Sequence, residues 1–267
     1  MTAHRVEPDS TVDLSKIDTR ATPDFDGDKE DSYPVLDERR RRLAELQDVL
    51  YAQNRHRVLF VLQAMDTGGK DGTIRHVFRD VDPIGVRMHN FKKPSERELA
   101  HDYLWRVHPH VPGDGELVVF NRSHYEDVLV VRVHDWIDDD LAEKRFRHIR
   151  EFERMLVDEG TTIVKVFLHI SKDEQAERLR ARLDEPDKNW KFSTGDLEER
   201  KFWDDYQRVY EDAISETSTK DAPWYVVPAD RKWYRNLAVS QILIDTMEGL
   251  DLRYPEPEEG LDDVVVE

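Results

Sequence analysis

The chain has 267 residues, of which 58 are acidic and 40 basic, for a formal charge of −18. That balance argues against duplex nucleic acid or an anionic membrane as a general partner, since both ask for a broad basic surface; an anionic substrate must find a local basic site or arrive with metal ions. Cysteine is absent, which removes disulfides, thiolate catalysis and cysteine-ligated metals together.

The length fits one large α/β domain carrying extras. Residues 1–33 are polar, rich in Asp and Thr and without sustained periodicity, and predict a flexible arm, disordered or laid over another surface. No basic-then-apolar leader pattern opens the chain and no apolar run approaches bilayer-spanning length, so a soluble, cytoplasmic protein is expected. The main domain is expected over 34–250. Leu36, Leu43, Leu46 and Leu50 recur at helical spacing among the charges of ERRRR and predict an amphipathic helix. RVLFVLQA then reads as a buried strand, GGKDGTIRHVFRDV as a helix, VRMHNF as a second strand and SERELAHDYLWRVHPHV as another helix. ELVVFN makes a third strand, and Leu141, Ile149, Phe152 and Leu156 mark a helix that leads through Gly160 into the strand TIVKVFLHI. WYVVPA is a further strand and WYRNLAVSQILIDTMEGL the closing helix. Apolar runs alternating with helices predict a mostly parallel sheet covered on both faces. Between the last two strands, residues from about 172 to about 220 are highly charged, helix-forming and too long for an ordinary connection; they are read as a helical lid. Residues 251–267 form an acidic tail.

The stretch from Ala64 to Gly72 carries the chemistry. In a strand-to-helix turn the first backbone N–H groups of the helix lack intrahelical partners, which makes an anion site before any side chain contributes. Gly68, Gly69 and Gly72 let the backbone approach a phosphate, Thr67 and Asp71 flank it, and Lys70 brings a mobile positive charge. The pattern departs from G-x-x-x-x-G-K-[ST]: Ala64 stands where the first Gly belongs, and Asp71 replaces the hydroxyl that ordinarily ligates Mg²⁺. Asp66 inside the turn would repel phosphate unless a divalent cation intervened, so it points to metal binding or proton acceptance, with turn capping as the plainer alternative. Asn121 and Arg122 close the third strand at the carboxyl edge of the sheet, where open α/β folds put their sites. Arg122 suits a bidentate phosphate clamp and equally a surface ion pair. Arg178 and Arg182, four apart on a predicted helix, share a face; they read either as a phosphate clamp or as partners of Glu174, Glu177 and Glu185. Lys92, Lys93 and Arg106, with Lys188 and Lys191 from the lid, are candidates to line a groove for a long polyanion. His108 to His110 read as a structural helix end, Trp233 and Tyr234 as core anchors before base stackers, and Phe202, Trp203, Tyr206 and Tyr210 as lid packing or a subunit contact.

Four segments, QAMDTGGKDGTIRHVF, FKKPSERELAHDYLWRVH, VFNRSHYEDVLVVRVH and PWYVVPADRKWYRNL, together resemble the polyphosphate kinase 2 family, and the third resembles its class III branch. They span roughly residues 35 to 250. The resemblance implies a P-loop kinase-like, three-layer αβα fold with a mostly parallel five-stranded sheet and a helical lid. It implies Mg²⁺-dependent phosphoryl transfer, with Mn²⁺ as a substitute, between inorganic polyphosphate and nucleotides. For class III it implies that both AMP and ADP are phosphorylated, giving ATP from AMP in two steps. Carried over by position, Asp66 holds the metal or assists the acceptor, Lys70 neutralises the transferring group, and Arg122, Arg178 and Arg182 act on the phosphates. Asn121, Glu126 and Asp127 fall on the nucleotide side. The commoner family pattern there resembles F-D-R-S-W-Y-N-R; this chain has Asn121 for the Asp, His124 for the Trp and Glu126 for the Asn, which puts a second carboxylate metal ligand in doubt. Family members tend to form dimers or tetramers. An ATP-dependent nucleoside monophosphate kinase and a non-catalytic polyphosphate- or nucleotide-binding regulator are the competing readings.

Overall fold

Each of the five apolar runs becomes a strand of one sheet in the computed structural model, which describes residues 4–260. The strands are β1 (Arg57–Ala64), β2 (Val86–Asn90), β3 (Leu117–Asn121), β4 (Thr161–His169) and β5 (Trp224–Pro228), in spatial order β2-β3-β1-β4-β5 with every pair parallel. β1, β3 and β4 are buried along nearly their whole length, as strands with helices on both faces must be, whereas the edge strand β2 is mostly exposed.

The helices are α1 (Lys29–Gln53), α2 (Lys70–Val77), α3 (Glu96–Leu99), α4 (Val130–Val133), α5 (Asp139–Asp158), α6 (Lys172–Asp184), α7 (Thr194–Glu199), α8 (Trp203–Thr217) and α9 (Lys232–Glu248). α1 and α2 pack with α9 on one face of the sheet, and α5 packs with α8 on the other. The connections from the neighbours β1 and β3 therefore leave on opposite faces. This opens a crevice at their carboxyl ends, and residues 64–72 and 121–126 meet there.

Three expectations are corrected. The helix proposed over SERELAHDYLWRVHPHV is the single turn α3, a loop, and a 3-10 turn at 108–110. The cause is local: the Asp102 carboxylate accepts from the backbone N–H of Leu104 and Trp105, taking donors a continuing helix would need, and Pro109 follows. The residues of 1–33 that are described are ordered against the domain. Val6 N–H donates to Trp224 O (2.9 Å) and Val226 N–H to His4 O (3.1 Å), covering the free edge of β5, while Val6, Val12 and Leu14 are buried. The first helix also begins at Lys29, ahead of the expected boundary at 34, with Asp28 and Asp31 forming a reciprocal capping box. Lastly, the expected lid divides in two. α8 buries Val209, Tyr210, Ala213 and Ile214 and belongs to the helical layer, whereas none of the residues from Ala181 to Phe202 is buried. Of the expected acidic tail, 251–260 carries neither helix nor strand and 261–267 lies outside the described residues.

Candidate active site

After β1 the chain turns through Thr67 (φ 59°) and Gly69 (φ 101°), both left-handed, and enters α2 with Gly69 at the N-cap. A Cβ on Gly68 would overlap Ala64 and the Met65 carbonyl; one on Gly69 would collide with the guanidinium of Arg235. Close packing therefore requires both glycines, and at Gly69 the left-handed dihedral requires it as well. Lys70 folds back over its own turn, donating to Ala64 O at 2.8 Å. Burial, reinforced by Arg122 and opposed by Asp66, Glu126 and Asp71, pushes its pKa down to about 8.

Arg122 stands opposite. Its backbone is also left-handed (φ 63°), and its guanidinium bridges Asp66 Oδ1 (2.9 Å) and Glu126 Oε2 (3.5 Å). Glu126 foremost raises its pKa, against burial. Asn121 donates to Asp71 Oδ1 at 2.8 Å, which leaves its own buried amide oxygen without a partner, as is the Thr67 hydroxyl. Asp66, Thr67 and Asn121 thus offer hard oxygen donors around one turn. No group of three or more His, Cys, Asp or Glu converges to hold a metal among the described residues. A cage is absent, but the donor set fits Mg²⁺, which takes one or two carboxylates and completes its shell with water and phosphate oxygens.

Two clefts meet at Asp66 and Arg122. The larger, about 380 Å³, lies between the glycine turn and the lid and is lined by seven Lys and Arg side chains against three Asp. It holds Thr67 to Gly72, Arg178, Arg182, Lys188, Lys191 and, unforeseen, Asn90, Asp196 and Lys232. On a chain of charge −18 this is the local basic site that an anionic substrate requires. The smaller cleft, about 180 Å³, is acidic and aromatic: Glu126, Glu199, Tyr206 and Tyr210 face Met65, Val130 and Gln175. Glu199 is held by Tyr206 OH at 2.7 Å and His134 Nε2 at 3.0 Å. The lid stripe read as packing therefore sends Tyr206 and Tyr210 into a cleft, while Trp203 is buried in the core.

Several expected site residues are committed to the protein's own groups, and others sit outside both clefts. Arg178 lines the basic cleft, yet its donors are committed to Glu174 Oε1 (2.7 Å), Thr67 O (3.1 Å) and Ala229 O (2.6 Å), so it braces the turn. Arg182 binds Asp196 (2.8 Å) and the Lys191 carbonyl, holding the lid to its root. Lys92 and Lys93 are exposed and line neither cleft, and Arg106 lies over Phe91 and donates to the Lys92 carbonyl. Asp127 faces away, with its carbonyl accepting from Arg145; burial, resisted by Arg145, raises its carboxyl pKa to about 6. Lys188 pairs with Glu185 at the rim. His110 stacks on His89, and Trp233 and Tyr234 anchor Phe25 and the Pro23 carbonyl, as structural roles require. Arg235 was missed altogether. It is 2% exposed beneath Gly69 and Gly72, and its hydrogen bonds go to Asn236 Oδ1; among the described residues it has no carboxylate partner. A third cation in the run Asp230 to Arg235 was its only sequence signal.

The model of the polyphosphate kinase 2 family matches residues 27–255. The chain is 59% identical over 267 residues to a Meiothermus ruber protein named AMP/ADP-polyphosphate phosphotransferase, covering all of both chains. It is 50% identical to the ADP-polyphosphate phosphotransferase of Rhodopseudomonas palustris, over 94% of this chain and 91% of that one. Among solved structures, polyphosphate kinase 2 from Arthrobacter aurescens superimposes with a TM-score of 0.95 at 47% identity, covering 98% of this chain and 95% of that chain.

Proposed function

The chain belongs to the polyphosphate kinase 2 family, and we propose that it transfers the terminal phosphoryl group of inorganic polyphosphate to AMP and to ADP, forming ADP and ATP. The observation that carries this reading is the meeting of two unlike clefts at Asp66 and Arg122. A groove lined by seven cations suits a long polyanion better than the short triphosphate of an ordinary monophosphate kinase. The aromatic, acidic cleft suits the nucleoside, and the acceptor specificity in the Meiothermus ruber protein's name supports both AMP and ADP as substrates.

In this reading the polyphosphate end lies against the backbone of Gly68 to Lys70, with Lys70 and Arg122 on its terminal oxygens and Lys188, Lys191 and Lys232 along the chain. A phosphate oxygen of the nucleotide attacks the terminal phosphorus in line. The bridging P–O bond breaks, and the polyphosphate leaves one unit shorter. The transition state is loose and needs no covalent nucleophile, so the protein's contribution is positioning and charge. Asp66, with the free oxygens of Thr67 and Asn121, would hold Mg²⁺ (or Mn²⁺), which when bound neutralises charge shared by donor and acceptor. Arg122 turns the acceptor phosphate toward the turn, and Arg178 keeps Thr67 in place behind it. Assembly as a homodimer or homotetramer and a cytoplasmic location go with this reading; among the described residues no helix is long and apolar enough to cross a membrane.

The test is ATP formation by purified protein given Mg²⁺, long-chain polyphosphate and either AMP or ADP, with no ATP supplied. ATP from both acceptors is expected. Product from ADP alone would remove AMP from the reading, and no product from polyphosphate, with ATP plus AMP yielding ADP, would overturn the donor.

A further inference from the structure

The segment that carries Arg122 and Glu126 is gripped from behind by buried polar groups that touch neither cleft. Arg122 needs such a grip. A non-glycine residue with φ near +60° is strained and persists only where its surroundings over-determine it. The backbone enters the strained position through Arg122 N–H to Leu62 O (3.1 Å), and the residues that follow are each fixed in turn. Ser123 Oγ accepts from Gln63 Nε2 at 3.2 Å, and His124 Nε2 lies 3.3 Å from Glu153 Oε1. The Tyr125 hydroxyl donates to Glu153 Oε1 at 2.8 Å and accepts from Lys165 Nζ at 3.0 Å.

Lys165 and Glu153 are themselves an ion pair with side chains 0% and 2% exposed, the ammonium 2.5 Å from Glu153 Oε2 and 2.8 Å from the Thr217 carbonyl. Trp224 packs edge-on to the Tyr125 ring and donates to Thr217 Oγ1 at 2.9 Å. One phenol thus joins β4, β5, α5 and the end of α8 to the three residues that separate Arg122 from Glu126. A buried ion pair is a poor device for stability alone, because apolar residues of similar volume do as well or better; what it supplies is a unique arrangement.

We infer that Tyr125, held by the Glu153–Lys165 pair, is a positioning residue for the acceptor nucleotide: it locks Arg122 in its left-handed conformation so that the guanidinium spans Asp66 and Glu126. The inference rests on the reading of the smaller cleft as the nucleotide side, so its test measures binding apart from turnover. Tyr125→Phe removes only the hydroxyl. Calorimetry is expected to show ADP binding weakened about tenfold, the size of one buried hydrogen bond lost, with long-chain polyphosphate binding, to which Arg122 gives only one of seven cations, weakened by about threefold at most. Equal weakening of both ligands, or of neither, would overturn it. Because loss of stability alone would mimic part of this result, Glu153→Gln is compared with the double variant Glu153→Gln/Lys165→Met. The single variant leaves the buried ammonium without its carboxylate and is expected to lose both melting temperature and ADP affinity. The double variant is expected to regain melting temperature while ADP binding stays weak. If the double variant regains both together, the network is merely structural and the inference fails.

Discussion

The molecule buries cations on both sides of its sheet and treats them oppositely. Behind the smaller cleft, Lys165 has Glu153, a phenol and a carbonyl around it. Burial pushes the Glu153 pKa up, but Lys165 and His124 outweigh it and hold the carboxyl below its usual range. Beneath the glycine turn, Arg178 and Arg235 both crowd Gly69 and share one carboxylate, Glu174, which Arg178 occupies. Burial first and Arg178 second push Arg235 down to about 9, with Glu174 offsetting them only in part, so it stays charged at neutral pH with no ion pair of its own among the described residues. The first centre is complete in the free protein. The second leaves Arg235 without an ion pair among the described residues, and in the proposed reading polyphosphate above the turn supplies the missing negative charge; the contrast then sets a centre built for rigidity against one poised for binding.

Breaking each centre should therefore give opposite results. Lys165→Met strands Glu153 in the core and is expected to cost about 3–5 kcal/mol of stability, read as a fall in denaturation midpoint. On the other face Lys70→Ala removes the charge proposed to act on the transferring group while leaving the core intact; a loss of about ten- to a hundredfold or more in turnover is expected, and near-normal rates would sink the proposed role. Arg235→Met is the sharpest comparison with Lys165→Met, because relieving an unpaired buried charge should keep or raise the melting temperature. It should at the same time weaken long-chain polyphosphate binding about tenfold, as expected for one buried charge interaction.

Smaller effects follow from Lys70. Its folded pKa of about 8 lies below the ordinary lysine value, so the penalty for its charge is fully present below pH 8 and is relieved as pH rises toward 10.5. Polyphosphate favours the charged form and draws the proton back. Binding at pH 8.5 is thus expected to take up roughly three-quarters of a proton, seen as a buffer-dependent enthalpy in calorimetry, and affinity should fall as pH rises from 7.5 to 9.5. Salt gives the smallest contrast: from about 50 to 200 mM it should raise the KM for polyphosphate severalfold more than that for ADP, since only one cleft is lined by seven cations.

Local chemistry made much of this legible. Buried parallel strands are written as continuous apolar runs, so RVLFVLQA is β1 from end to end, and Gly68, Gly69 and Lys70 directly after a strand announce the tight turn into α2. The edge strand β2 was found by its place in the alternation, although its exposed residues read less clearly. The loop after α3 was misread because capping by Asp102 competes with helix continuation, and a periodic pattern does not show that competition. The sequence left the arm open between disorder and lying over another surface, and the structure shows the latter for its described residues: Val6, Val12 and Leu14 are too few for a core of their own and are buried only where β5 and α8 meet them.

The site divides in the same way. By itself the sequence determined the sheet, the turn and the identities of Asp66, Lys70 and Arg122 at its rim, because strand periodicity and glycine spacing act within a few residues. Only the tertiary structure decided which charges are spent and which are free. Arg178, which the sequence left open between a phosphate clamp and a partner of Glu174, pairs with Glu174 and braces Thr67 at the edge of the cleft; Arg235 drew no notice and lies under the turn, and Lys165 stands as a lone charge in TIVKVFLHI until α5 brings Glu153 against it. Pairing depends on distances of a few ångströms between residues far apart in the chain, and those distances exist only once the layers have packed.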